Sequence, residues 1–179
     1  MRKNWEFIVF QQLQRRLVEQ APRILRRPLK LVPFTLQQSL MERLLAQVFK
    51  EAILDGDFDF LAGKWLKVEV SDLELSWFIS AQEGRLVVAR DCEAADVCFS
   101  GCSHDLILIA GRKEDPDSLF FQRRLKIEGD TELGLELKNL LDSLDLEALP
   151  SLMKYPLMDL ATLVERTRSA QEPVPAPVG

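Results

Sequence analysis

The chain has 179 residues, of which 47% are hydrophobic and 28% are charged, and its formal net charge is −5. This length and composition are typical of one globular domain with a sizeable core, with or without short extensions. No apolar run approaches the roughly eighteen residues that span a bilayer, and the first residues lack the apolar block of a signal peptide. We therefore expect a cytoplasmic protein.

Charge is unevenly distributed along the chain. Residues 1–33 hold eight basic and two acidic residues, a local net charge of +6, so the remaining residues must carry −11 to reach −5. A basic segment attached to an acidic body is typical of a protein that approaches an anionic surface with one end. We therefore divide the chain into a basic amphipathic N-terminal arm (1–33), a folded domain (34–168) and a Pro-rich tail (169–179) that we expect to be disordered.

The arm is predicted to begin with an amphipathic helix from Asn4 to about Gln20. Pro22, Pro28 and Pro33 should interrupt regular structure after it. Two roles fit the arm equally well: it contacts an anionic membrane, or it packs on the domain or mediates a homodimer. The candidates for membrane contact are Trp5, Ile8, Phe10, Arg15, Arg16, Arg23, Arg26 and Arg27.

The folded domain should contain helices before and after a group of strands, which indicates an α+β fold. Thr35-Leu36-Gln37-Gln38 resembles a capping box that opens a helix running to about Leu54. Alternating apolar and polar residues predict five strands, at 66–70, 73–79, 85–89, 95–100 and 125–128. Further helices are predicted at 104–112, with Ser103 as its cap, and at 157–168. Another should begin at Asp115-Pro116, and one more should begin after Asp130 and end before Pro150.

The sequence offers few groups for catalysis or metal binding. His104 is its one histidine, and Cys92, Cys98 and Cys102 lack the spacing of a zinc or iron–sulfur site. Neither a nucleophile elbow nor a phosphate-binding loop is present. The basic stretch has no aromatic stacking platform for nucleic acid. We therefore expect a binding protein rather than an enzyme, with no cofactor, no bound metal and no nucleic acid partner.

The stretch from Asp115 to Leu135 is the most informative in the chain. Asp115-Pro116 predicts a helix start, residues 125–128 alternate like a half-buried strand, and Gly129-Asp130-Thr131 turns the chain into a second helix. This helix-strand-turn-helix unit, with its Leu-Lys-Ile-Glu-Gly-Asp core, resembles the sterol carrier protein type-2 family of lipid-binding domains. Segments 28–34, 55–61 and 64–66 extend the resemblance to about residues 25–165.

The resemblance implies a twisted, mainly antiparallel five-stranded sheet, covered by helices that enclose an elongated apolar tunnel. It implies a non-catalytic accessory factor of oxygen-independent ubiquinone biosynthesis, which binds isoprenoid quinone precursors or phospholipid and presents them to hydroxylating enzymes. The implied protein partners are the iron–sulfur proteins UbiU and UbiV. The expected tunnel wall consists of Trp77, Phe99, Leu106, Ile109, Phe120, Phe121, Leu137, Leu140, Leu141 and Leu144.

The residues by themselves leave other functions open. Apolar stripes usually form a packed core, so the same side chains could fill the interior without any ligand. In that case the protein would be an interaction scaffold that recruits the enzymes of the pathway. An enzyme acting on a lipid head group is disfavoured, because the sequence has no reactive constellation.

Overall fold

The computed structural model describes Arg16, Val18 and residues 20–142 and 151–169. The helices are α1 (residues 20–31), α2 (Phe34–Val48), α3 (Lys50–Asp55), α4 (Ser103–Ala110), α5 (Pro116–Phe121), α6 (Thr131–Asp142) and α7 (Ser151–Ser169), with a short 3-10 turn at Asp59–Leu61. The strands are β1 (Leu66–Val70), β2 (Leu75–Gln82), β3 (Arg85–Ala89), β4 (Val97–Gly101) and β5 (Leu125–Gly129).

The five strands form one sheet in the order β3-β2-β1-β4-β5. The central pair, β1 with β4, is parallel, and the other neighbouring pairs are antiparallel. A parallel pair requires a long crossover, which the β2–β3 hairpin and the following loop supply. The structure thus confirms the α+β class and the mainly antiparallel five-stranded sheet.

Alternation along the strands gives the sheet two different faces. One row of directly paired residues, on the face that the helices cover, consists of Trp77, Val68, Phe99 and Ile127. The neighbouring row points to the opposite face and consists of Phe78, Lys67, Cys98 and Glu128. The apolar face packs with side chains of α2 to α6 into the main core cluster.

Helix α4 is covered on two sides, as its apolar composition predicts. Leu106 and Ile109 belong to the main core cluster. Ile107 and Leu108 belong to a second cluster with Val18 and with residues of α7. The helix therefore separates two apolar compartments.

Two helix starts in the domain follow local rules and confirm the sequence prediction. The Asp115 carboxylate accepts from the backbone N–H of Ser118 at 3.0 Å, and Pro116 occupies the first helical position of α5. The Asp130 carboxylate accepts from the N–H groups of Glu132 and Leu133 at the start of α6. The bond from Leu133 is the main cause of a lowered pKa of Asp130.

Two helix predictions were wrong because tertiary contacts override proline. Residues 20–31 are helical despite Pro22 and Pro28, and α7 begins at Ser151 and includes Pro156. Each proline removes one backbone hydrogen bond but already has a helical φ angle. Packing of α7 against α4 offsets that loss at Pro156, and the ion pairs of Arg26 and Lys30 with Glu74 hold α1 on the domain.

Other helix boundaries differ because of local geometry. The expected capping box is absent, since α2 begins at Phe34 and the Pro33 carbonyl accepts from the N–H groups of Leu36 and Gln37. The helix predicted to reach Leu54 is divided at Phe49 into α2 and α3.

Ser103 is not the cap of α4, because it is the first helical residue and its hydroxyl donates to Asp72 at 2.7 Å. Strand β2 begins at Leu75 rather than at residue 73, and β4 begins at Val97 rather than at residue 95. The predicted helix at 4–20 and the predicted tail lie, apart from Arg16, Val18, Gln20 and Ser169, outside the described residues.

Candidate lipid-binding site

The structure brings eight of the ten predicted tunnel-wall residues into the main core cluster. Four are buried and four are partly buried. They are Trp77, Phe99, Leu106, Ile109, Phe120, Leu137, Leu140 and Leu141. The apolar face of the sheet supplies the first two, and α4, α5 and α6 supply the others. The ninth, Leu144, lies outside the described residues.

Phe121 does not occupy the interior position expected for it, because its side chain is 88% exposed. Adjacent residues on a helix point about 100° apart, so only one of two neighbouring phenylalanines can face the sheet. Phe120 takes that position, with its ring centroid 6.4 Å from that of Phe99 and a tilt of 60°. This is a favourable geometry for an aromatic pair.

One polar pair lies at the side of this apolar cluster. The Trp77 indole N–H donates to Gln37 Oε1 at 3.2 Å, and Gln37 Nε2 donates to the Val32 carbonyl at 2.9 Å. Both residues are partly buried. Sequence reasoning missed Gln37, which forms a side-chain hydrogen bond with the predicted wall residue Trp77. The sequence signal that could have indicated it is a glutamine on an otherwise apolar face of the predicted helix.

The cluster reaches the surface at a first groove of about 460 Å³. Ile109 and Leu141 form its apolar part, at the end of α4 and near the end of α6. Charged residues of the α4–α5 loop and of α5, among them Lys113 and Asp117, form its rim. Asp117 is held by Lys138 of α6 at 2.9 Å.

A second groove of about 540 Å³ lies between α2–α3 and the β2–β3 hairpin. Its apolar part includes Ile53 and Leu86, which both belong to the main cluster. Its rim carries three cationic side chains, Arg43, Lys50 and Arg85. Both grooves fall within the roughly 300–1,000 Å³ that is typical of small-molecule pockets.

In the described part of the chain, the buried acidic group next to the cluster pairs with a cation. Among the described residues, Asp105 of α4 is 4% exposed and forms an ion pair with Arg124. Burial raises the pKa of Asp105, and the Arg124 guanidinium opposes that shift. His104, the neighbouring residue, lies in the first turn of α4 with Nε2 3.0 Å from the Val18 carbonyl oxygen. Within the described ranges no three His, Cys, Asp or Glu side chains are grouped as metal ligands.

The structure places only some of the predicted membrane-contact residues. Arg16, Arg23 and Arg27 are exposed, whereas Arg26 forms an ion pair with Glu74 of the β1–β2 turn, joined by Lys30 at 2.6 Å. The remaining candidates, Trp5, Ile8, Phe10 and Arg15, lie outside the described residues. None of the helices in the described ranges combines the length and apolar character needed to cross a membrane.

Comparison with known proteins identifies the fold family. Residues 41–142 match the SCP-2 sterol transfer family, a range that extends from α2 to the end of α6 and includes every strand of the sheet. The chain belongs to this family. Eight of the predicted wall residues lie within the matched range of the SCP-2 domain and in its main core cluster.

Individual relatives are similar to this protein over most of its length. The ubiquinone biosynthesis accessory factor UbiT of Escherichia coli (strain K12) is 48% identical over 153 residues, which cover 86% of this chain and 87% of the relative. UbiT of Escherichia coli O157:H7 is similar to the same extent. The chain therefore also belongs to the family of this accessory factor.

Two solved structures resemble the SCP-2 domain. The UbiJ-SCP2 ubiquinone synthesis protein has a TM-score of 0.49 at 24% identity, and covers 62% of this chain and 97% of its own. The sterol carrier protein domain 2 of Helicoverpa armigera has a TM-score of 0.40 at 27% identity, and covers 59% of this chain and 82% of its own.

Proposed function

We propose that this protein is a non-catalytic, lipid-binding accessory factor of ubiquinone biosynthesis, which holds prenylated quinone precursors in its main core cluster. The observation that carries the proposal is the 48% identity to UbiT over 86% of the chain. The site that would hold the prenyl tail is the apolar cluster between the sheet and α4 to α6, and the grooves beside Leu141 and Ile53, which cluster residues line, would be its entrances.

The energetics explain why such a pathway needs a binding protein. At about 0.8 kcal/mol for each buried CH2, one five-carbon prenyl unit gains roughly 3–4 kcal/mol when it leaves water. A tail of several units therefore stays in the membrane unless a second apolar phase is offered. The protein interior is that phase, and transfer into it is nearly balanced in free energy.

The finer part of the proposal concerns the route and the partners. We place the protein in the oxygen-independent route, where it presents the aromatic head of the precursor to hydroxylating enzymes. The iron–sulfur proteins UbiU and UbiV would then supply the redox chemistry. Phospholipid is the second candidate cargo, because any long acyl chain gains similarly from apolar burial.

We further propose that the protein meets the membrane through its basic N-terminal arm and α1. Exposed cationic Arg23 and Arg27 alternate on α1 with exposed apolar Ile24, and Leu31 is 82% exposed at the end of the helix. Cationic side chains near an anionic surface contribute about 1 kcal/mol each, and exposed apolar side chains enter the headgroup layer. The protein would then be cytoplasmic and peripherally bound.

The decisive experiment is identification of bound lipid. The full chain is purified without detergent, and its organic extract and its native mass spectrum are examined for prenylated phenols, quinones and phospholipids. The protein is then mixed with vesicles that contain ubiquinone-8, and the quinone that elutes with the protein is quantified. Quinone or precursor at substantial occupancy supports the proposal. A protein that is lipid-free and takes up neither quinone nor phospholipid is a scaffold, and the proposal is then wrong.

A further inference from the structure

The two edges of the sheet differ in how they are covered. At the β3 edge, the Val88 N–H donates to Glu42 Oε1 of α2 at 3.1 Å, and α2 packs along this strand. At the β5 edge, no hydrogen bond within the described part of the chain reaches a backbone group on the outer side of the strand. An uncovered edge is a template for pairing with another strand.

The ladder geometry shows which groups of β5 face outward. The Asp130 N–H donates to the Asp96 carbonyl at 2.9 Å, and the adjacent pair is Val97 with Gly129. Asp96 and Asp130 are therefore a hydrogen-bonded pair. Because hydrogen-bonded and non-hydrogen-bonded pairs alternate along an antiparallel ladder, the next pair, Val97–Gly129, is non-hydrogen-bonded. Leu125, Ile127 and Gly129 therefore direct their N–H and C=O groups to the open edge, whereas Lys126 and Glu128 bond to β4.

The charges of this edge are opposite in sign. Lys126 and Glu128 are exposed on the polar face of the sheet, and their cross-strand neighbours on β4 are the uncharged Ser100 and Cys98. Neither residue forms a salt bridge among the described residues. Opposite charges two residues apart can pair with the same two residues of an antiparallel second copy, whereas charges of one sign would repel each other.

We infer that β5 pairs antiparallel with β5 of a second copy of this chain, around a twofold axis at Ile127. In this register Ile127 lies opposite Ile127 of the second copy, and the outward N–H and C=O groups of both strands bond to each other. Lys126 of each copy then faces Glu128 of the other, at non-hydrogen-bonded positions, where side chains are closest. The strand is thus self-complementary in charge.

Exposed apolar residues beside the strand support the same interface. Phe121 on α5 is 88% exposed and Leu135 on α6 is 59% exposed. Both helices pack against β5, so these exposed apolar residues lie on the two helices that contact the edge strand. The product is a dimer with one continuous ten-stranded sheet, in which each copy keeps its own apolar cluster.

Charge reversal tests the register in the full chain. We expect sedimentation of the wild type to give a dimer, and K126E to raise the dimer dissociation constant by at least about tenfold, because two like-charge pairs replace two opposite pairs. E128K should act in the same way. The double variant K126E/E128K should restore dimerisation, and so should an equimolar mixture of K126E with E128K. R166E, at an exposed site on α7, is the control and should remain dimeric.

Cross-linking gives an independent measurement. In a background with Cys92, Cys98 and Cys102 replaced by serine, mild oxidation of mixed K126C and E128C should yield the mixed disulfide, because the paired Cα atoms would lie about 4.5 Å apart. K126C alone should not cross-link. A monomeric wild type, a dimer that K126E leaves unchanged, or failure of the double variant to restore it would each overturn the inference. Circular dichroism confirms that every variant is folded.

Discussion

Gly111, just after α4, lies directly against Ala161 of α7, so closely that a Cβ on Gly111 would overlap the Cβ of Ala161. Ala161 is fully buried and α4 and α7 pack along each other. This contact fixes how near the C-terminal helix approaches the domain.

The Gly111 contact predicts a large effect from one methyl group. Gly111→Ala should lower the free energy of unfolding by about 1–3 kcal/mol, because overpacking forces α7 away from α4. Urea unfolding followed by circular dichroism measures this change. Glu136→Ala, at an exposed site on α6, serves as the control and should change stability little. Equal stability of Gly111→Ala and wild type would contradict the contact.

The buried Asp105–Arg124 pair predicts a pH-dependent loss of stability. Arg124→Met leaves the Asp105 carboxylate buried without its partner and should cost about 3 kcal/mol at neutral pH. Because Arg124 opposes the effect of burial, its removal should raise the pKa of Asp105 further. A protonated carboxyl carries no charge to desolvate, so the deficit should shrink as pH falls below that raised pKa.

Denaturant unfolding of wild type and Arg124→Met across the acid range checks this prediction. The exposed Arg85→Met is the control for loss of a surface cation. A deficit that stays constant from neutral to acidic pH would show that Asp105 is not the cause.

The groove beside Leu141 predicts an asymmetric effect of two substitutions on one helix. Leu141→Trp should fill the groove and reduce uptake of ubiquinone-8 from vesicles, since Leu141 is half-buried at the opening. Glu136→Trp places a tryptophan on the exposed side of α6, away from the groove, and should leave uptake near the wild-type value. Similar uptake by both variants would exclude this groove as the entrance.

The ion pairs of Glu74 predict a gain of membrane binding. Arg26 and Lys30 of α1 are both held by Glu74, and the hydrogen bond from Lys30 is the main cause of a lowered pKa of that carboxyl. Glu74→Gln releases both cations and should strengthen co-sedimentation with anionic vesicles at low salt. Glu83→Gln changes the net charge equally on another turn and is the control. Deletion of residues 1–25 should weaken the same co-sedimentation.

Sequence predicted what local chemistry determines. Asp115 and Asp130 start their helices because each carboxylate caps backbone groups only two or three residues away. The alternation of β1, β3 and β5 likewise placed those strands within a residue of their observed bounds. Such features need no knowledge of the rest of the chain.

Features that depend on distant contacts could not be predicted. The helix through Pro156 is stabilised by its packing on α4, about fifty residues away in sequence. The choice between Phe120 and Phe121 depends on the phase of a six-residue helix, which is too short to show a periodic pattern. The bond between Gln37 and Trp77 joins residues forty positions apart.

The position of α4 between two apolar clusters has a mechanical consequence. On one side of this helix Leu106 and Ile109 pack into the main cluster, and on the other side Leu108 packs against Val18 and Val164. A bound lipid that widens the main cluster would therefore displace α4 toward α7 and toward Val18 of the N-terminal arm. Loading of the cargo would in this way reach the segments that we propose to contact the membrane.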